Sequence, residues 1–453
     1  MGLSDATEPT TQAHRGVNED VLYRKVIWRI LPFLMLCNIF NFLDRGNAGF
    51  AMLQFVHELK FDEFIFGVGS GLYFIGYMVS EIPSNMMTHR FGAKRSLMRI
   101  MVMWGLVAAC AAWMQSRNEF YLSRIVLGFA EGGFFPGVLL YFTYWIPASR
   151  RAFVTATYLM SMSLSGMIGG PLNGMIMHGL DGVAGWSGWR WLFLVEGVPT
   201  VIVGILLFFV LSDGPQHANW LTPEERSVIL ANLEHDADAA TMATQKITSF
   251  KAGLINRRVY ILMVMGIATY ASSTALFVWL PSIIRKSGVA DVRDVGMLVG
   301  IPFLFATIYQ YMISRSSDQR HERKWHMLVS SAMGGIGWLL LASVHAGPTL
   351  TVVFAAVTSA GVLGTMVIFY AIPASFLTGA GMASGIALIT TVGALATFVS
   401  GSLVGWLNDS TGSTAAGLYY YASLMLSATV LLAILLPKSQ RKTFGLTQAS
   451  QQS

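Results

Sequence analysis

The chain repeats one pattern along its whole length: a run of about 20 apolar residues closed at each end by charges, glycines or prolines. The stretch GVPTVIVGILLFFVL, residues 197–211, is typical. Twenty residues of α-helix rise about 30 Å, the thickness of a bilayer's hydrocarbon core. No backbone N–H or C=O can stay unpaired there, so helices that satisfy their own hydrogen bonds are the natural solution. A transmembrane β-barrel would need segments of about ten residues alternating in polarity, and the sequence has no such segments. Only 12% of residues are charged and 54% are hydrophobic, against about 25% charged in soluble globular chains. The expected fold class is an all-α membrane protein.

Reading the breaks gives twelve spans. The first six cover residues 27–53, 64–88, 97–116, 119–145, 152–177 and 189–211. The second six cover 258–283, 293–314, 326–345, 348–373, 381–407 and 415–437. The domain reading is therefore a tail at 1–26, a six-helix bundle at 27–211, a polar linker at 212–257, a second bundle at 258–437 and a tail at 438–453. Short cytoplasmic loops accumulate Lys and Arg. With the N-terminus inside, 22 of the 30 basic residues fall on the inner side, which predicts cytoplasmic termini. Residues 1–20 lack the three regions of a signal peptide, so the first apolar stretch is expected to stay as a helix.

Two six-span halves and a long linker fit a transporter built from repeats, with its site near the midplane between them. Basic links support the repeat: HRFGAKR follows span two and SRSSDQRHERK follows span eight. The pI near 9.3 comes from such flanking residues, which gives no support to nucleic-acid binding. Cys37 and Cys110 fall inside spans, so no disulfide framework is available. Histidines lack metal-ligand spacing, and nucleotide-binding and nucleophile-elbow patterns are absent. An enzyme is not expected, nor any cofactor beyond a coupling ion.

Four charges inside the spans carry the functional reading. Asp44 and Arg45 stand together in NFLDRGNAGF, and Arg124 and Glu131 lie in SRIVLGFAEGG. Charges at such depth cost a few kcal/mol each and usually face a bundle interior. Arg124 and Glu131 are seven residues apart, two turns or roughly 10 Å, and share a face with Gly128 between them. Neighbouring residues on a helix diverge by about 100°, so Asp44 and Arg45 cannot serve one partner. Arg45 shares its face with Asn38, Asn41 and Ala48, a stripe suited to a cavity wall, while Asp44 is directed towards Arg124. A buried ion network that only fixes helix registry is the structural alternative. On the functional reading, Arg45 or Arg124 clamps a carboxylate bidentately. Proton uptake by Asp44 or Glu131 restores neutrality, because desolvation beside an anion favours the protonated acid.

Weaker candidates are Tyr73 and Tyr77, which share a face of span two; Tyr270, Ser272, Ser273 and Thr274 in span seven; and Thr390 in span eleven. Small and hydroxylated residues in membrane helices more often serve packing. Glu81 and Glu196 are expected to anchor backbone near helix ends.

At these residues the chain resembles the major facilitator superfamily, and within it the anion:cation symporter family, over about residues 20–440. The carrying motifs are NFLDRGNAGFA, RIVLGFAEGGFFPG, GMIGGPLNG and WRWLFLVEGVP with ANWLTPEER. The resemblance implies bacterial inner-membrane permeases, acting as monomers, that move tartrate, phthalate, hydroxyphenylacetate or sugar acids with protons. It implies substrate contacts at Arg45 and Arg124, with Tyr77 lining the cavity, and proton coupling at Asp44 and Glu131; the polar residues Asn41, Tyr73 and Thr390 join the expected substrate-binding set. It implies a cytoplasmic gate at Arg90, Gly92, Lys94 and Arg95, with Asp318 in the matching link; His89 stands where the family often has aspartate. Span eleven reads Ile389-Thr390 and Gly393-Ala394 where asparagines are common, a difference favouring a less hydroxylated carboxylate. Sodium coupling, exchange, and a sensor that binds without transporting remain as alternatives.

Overall fold

The computed structural model of the protein describes residues 17–242, 250–320, 322–344, 347–373, 377 and 379–435. The expected tail at 438–453 and most of the tail at 1–26 lie outside them. In the first half the helices are α1 (Glu19–Glu58), α2 (Glu63–Phe91), α3 (Ala93–Cys110), α4 (Arg117–Glu131), α5 (Phe134–Thr143), α6 (Ala148–Gly179) and α7 (Gly188–Val210). The linker carries α8 (Pro223–Met242) and α9 (Phe250–Leu254). The second half holds α10 (Arg257–Lys286), α11 (Val292–Arg320), α12 (Lys324–Ser343), α13 (Pro348–Ala371), α14 (Gly379–Thr411) and α15 (Ala415–Leu435). Among the described residues, twelve spans are long and apolar enough to cross a membrane, α4 and α5 together making one of them.

Local chemistry sets the helix ends. Asn18 caps α1 by accepting from the N–H groups of Asp20 and Val21. That cap starts α1 well before its apolar stretch, and Leu22, Tyr23 and Val26 are buried. In the linker, TPEE forms a capping box around Pro223: Thr222 Oγ1 accepts from the Glu225 N–H, and the Thr222 N–H donates to Glu225.

Span four is not the continuous helix expected over 119–145. It breaks at Gly132 and Gly133, and Gly133 takes the left-handed conformation with φ of 93°. A Cβ on Gly133 would lie 2.4 Å from Ser84 Oγ, so α2 passes too close for any other residue. Pro136 sits in the first turn of α5, where its missing N–H costs nothing.

The halves meet chiefly through three helix pairs: α1 with α10, α2 with α14, and α6 with α11. Counted as spans these are one with seven, two with eleven, and five with eight. Exchanging the halves returns the same set, as a two-fold relation between repeats requires. Glycines let these backbones touch. A Cβ on Gly67 would come within 2.2 Å of the Gly401 carbonyl oxygen, and one on Gly296 within 2.4 Å of the Gly170 oxygen. These contacts lie in the half of each helix away from the linker, towards what is here termed the far face. The opposite end is the linker face.

Candidate functional site

Between the halves lies a cavity with about 1170 Å³ of space free of atoms, part of it open to solvent. Asn41, Arg45, Tyr73, Tyr77, Arg124 and Thr390, the six residues proposed from sequence to meet a substrate, all line it. Aromatic rings make up much of its remaining wall, notably Phe42, Phe135 and Phe277.

The charges inside it are partnered unequally. Arg45 donates from both Nε and Nη2 to Glu131 Oε1. Its guanidinium also lies over Phe42, Tyr73 and Tyr77, at 4.9, 5.2 and 5.5 Å from the ring centroids. Glu131 is fully buried and closes α4, so its charge stands at the negative end of that helix. A cation there is needed twice over, and Arg45 supplies it. Glu131 does not line the cavity; it stands behind Arg45.

Asp44 does not pair with Arg124. Its carboxylate accepts from Trp104 Nε1 at 2.9 Å and from Thr200 Oγ1 at 3.2 Å, with Asn47 Nδ2 at 3.5 Å. Trp104 and Thr200 come from α3 and α7, on the side of α1 away from the cavity. The divergence of neighbouring side chains on a helix is what separates Asp44 from Arg45. Glu196 joins this second cluster. It is 2% exposed, and with the Asn173 amide oriented to suit its neighbours it accepts from Asn173 Nδ2 at 2.6 Å. Its expected role at a helix end therefore does not hold: it is a buried acid near Asp44, and neither makes an ion pair among the described residues.

Arg124 is the cavity's free cation. It is 3% exposed, donates no hydrogen bond and forms no ion pair among the described residues. The rings of Phe120 and Phe193 flank its guanidinium at 5.9 and 5.6 Å. Its spacing from Glu131 explains the missing partner, since two helical turns exceed ion-pair reach. The Gly128 surface between them is filled by α2: a Cβ there would lie 1.9 Å from the Tyr73 carbonyl oxygen.

Three further polar residues of the wall lie together. The hydroxyls of Tyr270 and Tyr370 are hydrogen-bonded to each other, and Glu81 lies with them. Tyr370 passed unnoticed in the sequence because one tyrosine in an apolar run carries no signal. Glu81, expected to anchor backbone, lines the cavity instead.

The residues expected to form a gate stand on the linker face. Gly92, with φ of 86°, ends α2, and the Lys94 N–H donates to Asp213 Oδ1 at 3.1 Å. Lys94 Nζ lies 4.2 Å from the Phe208 ring centroid. Arg90 and Arg95 are exposed. Asp213, not singled out in the sequence, holds this turn from the start of the linker. The His89 side chain lies outside the described set. In the matching link Asp318 pairs with Arg323 at 3.0 Å.

The chain matches the Major Facilitator Superfamily over residues 34–387. The protein belongs to this superfamily. It is 39% identical over 435 residues to a Pseudomonas putida protein named as the metabolite transport protein NicT, covering 96% of this chain and 98% of that one. It is 37% identical to an Agrobacterium vitis protein named as a tartrate transporter, covering 92% of each. Among solved structures it superposes on the xylose transporter XylE from E. coli with a TM-score of 0.73 at 13% identity, over 92% of this chain and 99% of that one. That likeness shows the fold. Relatives of this superfamily member are named as transporters, not enzymes, and the names agree with the organic-acid branch read from its motifs.

Proposed function

We propose that this superfamily member imports a small organic carboxylate with protons across the bacterial inner membrane, by alternating access of a midplane site. The observation that carries the reading is Arg124: a buried guanidinium facing a cavity, with no acid in ion-pair contact with it among the described residues. An arginine cannot shed its proton to escape that cost, so an anionic ligand is its natural complement. Asn41 Nδ2, buried and without a partner, offers a second donor in the same wall.

Coupling follows from the other arginine. A carboxylate that enters beside Arg124 also draws on Arg45, and whatever interaction Arg45 gives to the substrate it withdraws from Glu131. Left alone at a helix C-terminus, Glu131 then binds a proton, and the net charge of the site returns to its starting value. Asp44 is a second acid able to hold a proton, in a compartment separated from the substrate. The twofold-related packing of the halves supplies the rocking element.

Uptake of labelled carboxylates into proteoliposomes tests this. Wild type should accumulate substrate under an inward proton gradient without sodium. Arg124→Ala should abolish uptake, and Glu131→Gln should keep exchange while losing accumulation. Undiminished accumulation by Glu131→Gln would refute the coupling scheme, and full uptake by Arg124→Ala would refute the anion site.

A further inference from the structure

Besides Arg124, one other charge facing the cavity lacks a protein partner. Glu81 accepts no hydrogen bond and forms no ion pair among the described residues. Tyr77, Tyr270 and Tyr370 lie within electrostatic reach of its carboxylate. The cavity therefore carries a basic and an acidic side chain that form no ion pair among the described residues, while Arg45 and Glu131 pair with each other.

Their separation can be read from helix packing. α2 and α4 run parallel, and the Gly128 Cβ position falls against Tyr73 O and Tyr77 N, while that of Gly132 falls against Tyr77 O and Ser80 Oγ. Residue 124 therefore stands level with about residue 71, and Glu81 lies some ten residues further along, an axial offset of about 15 Å. Both side chains lean towards the N-terminal ends of their helices, so the offset carries over to the charged groups. A benzoate-sized body with a polar contact at each end spans about 13 Å. The wall between the two charges is aromatic: Phe42, Tyr73, Tyr77 and Phe135.

We propose that Glu81 reads the end of the substrate opposite its carboxylate, selecting a ring-bearing acid with a hydroxyl or amino hydrogen-bond donor at that end. The inference rests on the assignment of the carboxylate to Arg124. A second acid group at the distal end would meet Glu81 with like charge, so dicarboxylates of this length are disfavoured. An apolar end would leave the Glu81 carboxylate desolvated with nothing in return. Glu81 is a specificity residue in this scheme.

The test is equilibrium binding of three near-isosteric probes to the purified full-length protein: 4-hydroxybenzoate, 4-aminobenzoate and 4-methylbenzoate. Wild type should bind the first two at least about tenfold more tightly than the third, the discrimination expected from a hydrogen bond to a charged acceptor. Glu81→Leu should erase that ratio while binding 4-methylbenzoate as well as wild type or better, and Glu81→Gln should retain part of it. Four results would overturn the proposal: no binding of any probe, no preference in wild type, a ratio unchanged in Glu81→Leu, or equal loss of all three probes in both folded variants. The underlying assignment is read separately with Arg124→Ala. If 4-methylbenzoate binds wild type but not Arg124→Ala, the carboxylate site stands whatever the ratio at Glu81.

Discussion

Arg45 spends two donors, Nε and Nη2, on the single oxygen Oε1 of Glu131, across the gap between α1 and the broken end of α4. The bond joins a half-buried cation to a fully buried acid. That asymmetry makes the two partners unequal when removed.

Arg45→Ala leaves a carboxylate sealed at a helix C-terminus, and breaking a buried pair in this way costs about 3–5 kcal/mol. Glu131→Gln leaves a cation that can turn into the cavity, and its amide still accepts from Arg45. In detergent, Arg45→Ala should therefore melt well below Glu131→Gln. The double variant Arg45→Ala/Glu131→Gln should recover much of the loss. Equal melting of the two single variants would mean that the pair contributes little to stability.

Gly128 offers a purely steric test of the site's scaffold. A Cβ at that position meets the Tyr73 carbonyl oxygen at 1.9 Å, and the atom it meets is backbone, which cannot rotate away. Gly128→Ala should separate α2 from α4 and cost about 1–3 kcal/mol. It should also lower substrate affinity, because Tyr73, Tyr77 and Arg124 sit on the two helices displaced. Full affinity with an unchanged melting temperature would show that the helices part without cost.

Twelve spans and the linker were legible in the sequence because a bilayer imposes a length of about 20 residues on every crossing. The six cavity residues were legible because a charge or a polar stripe in such a span has few other uses. The pairing of the charges was not. Arg124 and Glu131 share a helical face, yet Glu131 is met by Arg45 from an antiparallel helix, a matter of axial level that sequence spacing does not encode. Asp44 could be separated from Arg45 by helix geometry alone, but its partners Trp104 and Thr200 lie 60 and 156 residues away. The break after Glu131 had a local sign, EGG followed by Pro136, masked by the apolar residues around it.

The linker tether gives a pH prediction. Lys25 Nζ donates to both oxygens of Glu225, at 2.9 and 2.7 Å. Burial works to raise the Glu225 pKa, but Lys25 and the Thr222 N–H outweigh it and hold the carboxyl below its usual 4.5. A depressed carboxyl stabilises the docked linker above pH 4.5 and loses that contribution as pH falls through the folded value. Lys25 is 43% exposed, so solvent screening keeps the effect below about 1 kcal/mol. Hydrogen exchange in α8, corrected for intrinsic rates, should be flat from pH 8 to 5 and rise below 4.5. Glu225→Gln should show a faster rate already at pH 7, and a rise between pH 8 and 5 would exclude Glu225 as its cause.

At the far face the ion pairs joining the two halves converge on two places. Glu63 Oε1 accepts from Lys286 Nζ at 2.5 Å, and its Oε2 accepts from Asn408 Nδ2 at 2.8 Å. Asp409 accepts the N–H groups of Glu63 and Phe64 in the first turn of α2, and His178 meets Asp291 at 3.1 Å. The far face is thus held shut by polar contacts of modest individual strength, each about 0.2–1 kcal/mol where exposed. Glu63→Ala removes two of them at once, and the population open at the far face should rise about threefold or more. A cysteine replacing Ser70 in the cavity wall reports that opening through its reaction with an impermeant maleimide applied from the far side. The background needs Cys110→Ser, because Cys110 is exposed, whereas Cys37 is buried and inert. Labelling should rise in Glu63→Ala and fall again when a carboxylate substrate closes the site. A rate unchanged by Glu63→Ala would mean that the glycine contacts of α2 with α14, rather than the polar latch, hold this face closed.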